Sequence, residues 1–239
     1  MSCSPVANAP GPCGMRPDLM LQPKLFQDGK QKKQVLCLGA HCDDIEIGCG
    51  GTILELLAAN PDIEITWVVF SSNAQRKAEA TAGAEAFAGD AARLDLRIFD
   101  FRDGFLPYSG TAVKEKFEEL KKSIATPDVI FTHYRQDLHQ DHRAVCELTW
   151  NTFRNHLIFE YEIPKWDGDL GIPNTFFPVS EPRVKEKVQK LQQTYNSQQT
   201  KRWFTDDLFT SIMRIRGMEC NSESRFAEGF YTRKMIVSV

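Results

Sequence analysis

The chain of 239 residues has no long apolar run, no excess of one charge and no paired-cysteine pattern. Each absence removes a class of function. No stretch reaches the roughly 20 apolar residues that a membrane-spanning helix needs, so no membrane span is expected. Lys and Arg number 29 against 32 Asp and Glu, a formal net charge of -3. That balance lacks the basic footprint with which a nucleic-acid-binding domain meets phosphates, and no nucleic-acid partner is expected. Lys114, Lys116, Lys121 and Lys122 do group, but acidic residues interrupt them, the pattern of a solvated helix face. The seven cysteines, Cys3, Cys13, Cys37, Cys42, Cys49, Cys146 and Cys220, are odd in number and form no CxxC. Reduced, mostly buried thiols are expected rather than a disulfide framework. Residues 1–33 contain no apolar core of the kind a secretory leader has, and a cytoplasmic location is the expectation.

Hydrophobic residues make up 42% and charged residues 26%, enough apolar material for one sizeable core in a globular protein. Residues 1–33 are rich in Pro, Gly and polar side chains without a period. They are expected to form an extension, flexible or lying on the surface, ahead of a single domain at 34–239. From Gln34 on, short apolar runs alternate with helical patterns. Strands are expected at 35–40, 65–70, 96–100 and 128–133, and helices at 48–59, 74–92, 111–124 and 139–153. After Asn155 the pattern loosens, with a strand expected at 156–163, helices at 181–195 and 206–217, and a closing strand at 229–237. Such alternation predicts an α/β, Rossmann-like fold: a mostly parallel sheet with helices on both faces.

The residues that carry chemistry sit at strand ends. His41-Cys42-Asp43-Asp44 follows the first apolar run, where open α/β sheets place their sites. Imidazole and carboxylate are both good ligands for zinc. Two adjacent carboxylates can divide the work, one on the metal and one free to take a proton. Taken alone, the loop reads equally well as a helix cap. Gly48-Cys49-Gly50-Gly51 raises a dinucleotide-binding alternative, but the GxGxxG spacing fails at Ile53. A second cluster, Asp137-Leu138-His139-Gln140-Asp141-His142, follows the fourth strand. His139 and His142 fall near one face of a first helical turn, and Asp141 is placed to orient an imidazole. Four of the five histidines, His41, His133, His139 and His142, belong to these two strand ends.

These residues resemble the PIG-L/LmbE-like zinc-dependent N-deacetylases. That family's AHPDD…GCGG signature is matched by residues 40–51, and its HxDH signature by residues 139–142. The resemblance extends over 34–239, including Arg216-Gly217 and Ala227-Glu228-Gly229-Phe230, and leaves out 1–33. Cys42 stands where the family has proline and Ile45 where glutamate is common. Neither change removes a ligand, but Cys42 would loosen the loop and add a soft, oxidisable neighbour to the metal. The resemblance implies that His41, Asp44 and His142 hold Zn²⁺ or another divalent metal. It implies Asp43 as general base and His139 as the group that polarises the acyl carbonyl. Arg76 and Asp103 look similar to the family's substrate-contacting residues, with a surface ion pair or a turn residue as the competing reading of each. Glu79, Asp137 and Glu228 are lesser polar candidates.

The implied activity is removal of an acetyl group from an amino sugar such as N-acetylglucosamine, in a glycoconjugate, nucleotide sugar or secondary metabolite. The alternatives are a zinc hydrolase of another amide and a catalytically silent nucleotide-binding module. The expected partner is the small-molecule substrate, and the family resemblance makes a homo-oligomer an expectation as well.

Overall fold

The computed structural model describes residues 22–26 and 32–237. The chain divides into residues 1–30 and 31–239. Most of the expected N-terminal extension, with Cys3 and Cys13, lies outside the described residues, and residues 22–26 form neither helix nor strand. The second unit begins with strand β1 (Lys33–Gly39), helix α1 (Asp44–Ala59), β2 (Ile63–Ser71), α2 (Ala74–Ala88) and β3 (Arg93–Phe101). There follow α3 (Gly110–Ser123), β4 (Val129–His133), α4 (Gln140–Thr152), β5 (Leu157–Tyr161) and β6 (Thr175–Pro178). The chain closes with α5 (Glu181–Thr194), α6 (Asp206–Glu219) and β7 (Ala227–Thr232).

The sheet runs β3-β2-β1-β4-β5-β7-β6. Its first five strands are parallel, and β7 pairs antiparallel with both β5 and β6. Leu36, Leu38, Val68, Phe70, Ile130 and Ile158 face α3 and α4, where Val113, Phe117, Leu120 and Val145 meet them. The other face is covered by α1, α2 and α5, which pack on one another. Burial on both faces is why β1 and β2 read as unbroken apolar runs rather than alternating ones. The expected α/β fold is therefore the one observed. Among the described residues, no helix is long and apolar enough to cross a membrane.

Several boundaries differ from expectation, each for a packing reason. The first helix starts at Asp44 rather than near Gly48, and it carries a kink at Cys49 (φ -142°, ψ 16°). The glycines looked like loop residues. They are in fact where the helix presses on its neighbours: a Cβ on Gly48 would lie 2.2 Å from the Tyr161 ring, and one on Gly50 2.6 Å from Phe87. The kink frees backbone donors that the helix no longer uses. Glu228 from β7 accepts them, from Gly51 N–H at 2.8 Å and Thr52 N–H at 2.7 Å. Lys187 neutralises that buried carboxylate at 2.6 Å. No phosphate-binding loop is formed there. The second helix stops at Ala88 and β3 begins at Arg93, each earlier than expected. No sequence pattern predicts the edge strand β6, which is three half-buried residues and an exposed proline, and the closing strand spans Ala227–Thr232 rather than 229–237.

Candidate metal centre and active site

The site is assembled by the loops after β1 to β4 and by the segments that follow β5 and α5. A cavity of about 670 Å³ opens at the carboxyl edge of the sheet, the position a parallel α/β sheet offers. All seven expected residues line it: His41, Asp43, Asp44, Arg76, Asp103, His139 and His142.

The loop after β1 folds back on itself, because the His41 N–H donates to Asp44 Oδ2 at 2.6 Å. That bond aims both side chains at one point. His41 Nδ1 lies 3.1 Å from His142 Nε2 and 3.3 Å from Asp44 Oδ2. His142 Nε2 lies 3.5 Å from Asp44 Oδ1. Ligand atoms at the corners of a tetrahedron with bonds of about 2.0–2.1 Å stand about 3.3 Å apart. The two imidazole nitrogens have about that spacing, and Asp44 offers a different oxygen to each, Oδ2 to His41 and Oδ1 to His142. Overlapping sets exist: His41, His139 and His142, or Asp44, His133 and His142, also bring donors within 4.8 Å of one another. In the second of these, the His133 ring stacks on His142 with centroids 3.9 Å apart. His133 Nε2 accepts the Ala40 N–H at 2.9 Å, which draws the lone pair away from the cluster.

Each histidine of the first set is held by a carboxylate on its far nitrogen. His142 Nδ1 lies 2.8 Å from Asp137 Oδ2, and Asp137 also accepts the His139 N–H at 2.8 Å and meets Lys165 at 3.0 Å. His41 Nε2 faces Asp103 Oδ1 at 3.1 Å and Asp141 Oδ2 at 3.3 Å. Asp141 is itself anchored by the N–H groups of Gly104 (2.7 Å) and Leu106 (3.1 Å). Such partners fix tautomer and ring orientation in metal sites.

The electrostatics suit a cation. Burial and the neighbouring His133 push the His142 pKa down to about 3, so at neutral pH the ring is an uncharged donor. Burial opposes ionisation of Asp44, yet His142, His133 and His41 outweigh it and hold the carboxyl well below its usual range. Burial also opposes protonation of His41, but Asp44, Asp103 and Asp141 overcome it and raise the ring well above its usual value. A metal arriving at His41 would take the place of that proton.

Asp43 is buried beside Asp44 but turned elsewhere. Its Oδ1 accepts from Arg76 at 2.6 Å. Burial raises its pKa, the Arg76 charge opposes that, and Asp44 adds to it. Arg76 is tied in turn to Glu79 (3.3 Å) and Ser197 Oγ (3.1 Å), and Glu79 accepts the Ser197 N–H at 2.8 Å. Arg76 therefore reaches the cavity with Asp43 as its nearest partner. His139 caps α4, its Nδ1 accepting the Asp141 N–H at 3.2 Å. That leaves the proton of the neutral ring on Nε2. Burial first, then the charge of His41, lowers its pKa, so the ring is a neutral donor at pH 7.

The expectation of a soft, oxidisable Cys42 beside the metal is corrected by the structure. Its thiol is 1% exposed, donates to the Ser71 carbonyl at 3.4 Å, and is pushed up to about 12 by burial. Of the lesser candidates, Asp137 and Glu79 stand directly behind cavity residues, while Glu228 serves the kink in α1. Sequence reasoning missed Lys165, Trp166, Gln198, Lys201 and Trp203, which line the same cavity. They come from irregular segments where no periodicity marks them.

A family model described as PIG-L, GlcNAc-PI de-N-acetylase, matches residues 36–153. A protein of Escherichia coli (strain K12) described as the uncharacterized deacetylase YaiS is 28% identical over 186 residues, covering 73% of this chain and 97% of its own length. Among solved structures, the N,N'-diacetylchitobiose deacetylase of Pyrococcus horikoshii has a TM-score of 0.60 at 22% identity, covering 84% of each chain. The 4-carboxy-2-hydroxymuconate hydratase GalB of Pseudomonas putida KT2440 has a TM-score of 0.68 at 16% identity, covering 87% of this chain and 99% of its own. At these identities the two structures share the fold, and the fold carries two different reactions.

Proposed function

We propose that this chain, whose residues 36–153 match the PIG-L de-N-acetylase model, hydrolyses the N-acetyl group of an N-acetylglucosamine-like amino sugar with the help of a divalent metal, Zn²⁺ foremost. The observation that carries this reading is the meeting of His41, Asp44 and His142 at 3.1–3.5 Å, with the Arg76-anchored carboxylate of Asp43 and the neutral ring of His139 beside them. His41, Asp44 and His142 would hold the ion. Bound there, Zn²⁺ supplies a Lewis acid that acidifies water and polarises a carbonyl.

The chain's own groups supply the proton traffic. Asp43 is anchored to Arg76 through Oδ1, so its other oxygen is the one to take a proton from the attacking water. Its raised pKa brings it closer to the operating pH, as a general base requires. The same carboxyl returns the proton to the leaving nitrogen. His139 Nε2–H donates to the acyl oxygen as negative charge builds on it. Asp103, whose side chain is 79% exposed, and the guanidinium N–H groups of Arg76 left over from Asp43, Glu79 and Ser197 bind sugar hydroxyls.

The test is acetate release from a panel of N-acetylated amino sugars by metal-loaded and chelator-stripped protein, with metal content measured on both. Metal-dependent acetate release supports the reading. A protein that binds no divalent metal, or that releases no acetate when loaded, overturns it.

A further inference from the structure

The sheet ends in two unlike edges. β6 is four residues long and closes on an exposed proline, which has no N–H to offer a further strand. β3, at the other end of the sheet, is nine residues long with neither proline nor glycine. An edge of that kind is a template for another strand. Its apolar side chains are also under-covered. Leu94, Leu96 and Ile98 pair with Ile65, Trp67 and Val69 of β2 and share their face of the sheet. The β2 residues are at most 2% exposed, whereas the three β3 residues are only half-buried.

The backbone is open on the same edge. The Ala92 N–H donates to the Ile63 carbonyl at 2.7 Å, so the alternation of a strand turns the amides of Leu94, Leu96 and Ile98 toward β2. Those of Arg93, Asp95 and Arg97 turn outward, and nothing bonds them among the described residues. The irregularity in the pairing with β2 comes only after Ile98, which leaves 94–98 a regular stretch.

The charges on this stretch decide what fits it. Asp95 and Arg97 lie on the opposite face from the leucines and pair with each other at 2.7 Å. About a two-fold axis at Leu96, a second copy of β3 sets Asp95 against Arg97 and Arg97 against Asp95. Leu96 then meets its own copy, and Leu94 meets Ile98. The outward amides of Asp95 and Arg97 fall opposite each other, where antiparallel strands exchange both N–H···O bonds. An axis at Asp95 or at Arg97 would also match outward amides, but it sets Asp95 on Asp95 or Arg97 on Arg97. Like charges directly opposite destabilise a pair, so only the register centred on Leu96 is self-complementary.

We infer that β3 is an interface on which two copies of this chain pair edge to edge, antiparallel about Leu96, into one continuous sheet. The same patch serves both copies, as a two-fold contact requires. The carboxyl edge of one sheet adjoins the amino edge of the other, so the two cavities open on opposite edges. The pairing therefore stands apart from the deacetylase reading and is tested without it.

Full-length wild type, Asp95→Arg and Arg97→Asp are compared by sedimentation velocity at roughly 50 µM, which populates a pairing at the weak end of specific interfaces. The wild type should sediment as a dimer. Each variant alone should be smaller, its pairing weakened at least about tenfold, because every charged cross-strand contact becomes like-charged. Mixed in equal amounts, the two variants should recover the wild-type mass, since the arginines of one then face the aspartates of the other. A wild type that stays a monomer overturns the pairing. So do variants that keep the wild-type mass, or a mixture that stays as small as its parts. Should either variant fail to fold, hydrogen exchange on the wild type decides instead. The amides of Asp95 and Arg97 should be protected at that concentration and lose protection on dilution by about a hundredfold; equal exchange at both concentrations refutes the interface.

Discussion

Asp137 is the residue whose replacement tests the metal centre most directly, because it meets the expected ligands only through His142. It is 2% exposed and accepts from His142 Nδ1 at 2.8 Å. With that bond in place the His142 ring presents Nε2 to His41 and Asp44. Without it the ring is free to rotate or to take the other tautomer. Loss of such a partner typically weakens metal binding 10–100-fold, about 1.4–2.7 kcal/mol. Asp137→Asn keeps the shape and one acceptor oxygen but loses the charge, so roughly tenfold is expected. Asp137→Ala loses both and should approach 100-fold. The structure also limits side effects. Lys165, the other partner of Asp137, retains Asp169 at 2.6 Å, so no buried ammonium is stranded. Besides His142 Nδ1 itself, the His139 N–H, 2.8 Å from Asp137 Oδ1, is left to find water. Zinc affinity is measured by competition against a chromophoric chelator, with the thermal midpoint of the metal-free proteins as control. A change in zinc affinity below twofold for Asp137→Ala, with an unchanged midpoint, would refute the claim that His142 is a ligand oriented through Nδ1.

The two adjacent carboxylates should separate cleanly. Asp43→Asn should keep metal while deacetylation falls about 10²–10⁴-fold, whereas Asp44→Asn should lose metal affinity and regain part of its activity in excess zinc; the opposite pattern in metal content reverses the two roles. Metal uptake should release a proton at neutral pH, because His41 of the metal-free protein is raised well above its usual value and must lose its proton to bind. Apparent zinc affinity should therefore fall as pH drops below that raised pKa, and calorimetry in two buffers of different ionisation enthalpy reads the proton; a buffer-independent heat at pH 7 contradicts the assignment. The same sign holds without metal: the partners of a raised His41 stabilise the fold fully below the unfolded pKa of about 6.5, and that contribution is lost as pH rises through the folded value. Glu228→Ala should strand buried Lys187 and unpair the Gly51 and Thr52 N–H groups, costing about 3–5 kcal/mol and lowering the thermal midpoint by roughly 10 °C; a shift under about 3 °C would show that the kink does not depend on this carboxylate.

The parallel sheet and its working edge are legible in the residue pattern alone. Strands buried on both faces must be apolar throughout, and crossover helices must carry their own period, so both patterns are local and legible. The two signatures, at residues 40–51 and 139–142, are short local runs as well, and the roles of their residues come from the resemblance to the family. That is enough to bring His41, Asp43, Asp44, His139 and His142 together once β1 and β4 pair side by side. The other contacts of the site join residues distant in the chain. That Arg76 meets Asp43, that Asp137 and Asp141 stand behind different imidazoles, and that Trp166 and Trp203 share one cavity are outcomes of how loops pack, and no local period encodes them. The glycines of α1 show the limit most plainly. Read along the chain they signal a turn, but across the fold they are the gaps into which Tyr161 and Phe87 fit, since a helix can approach a sheet that closely only where it carries no side chain.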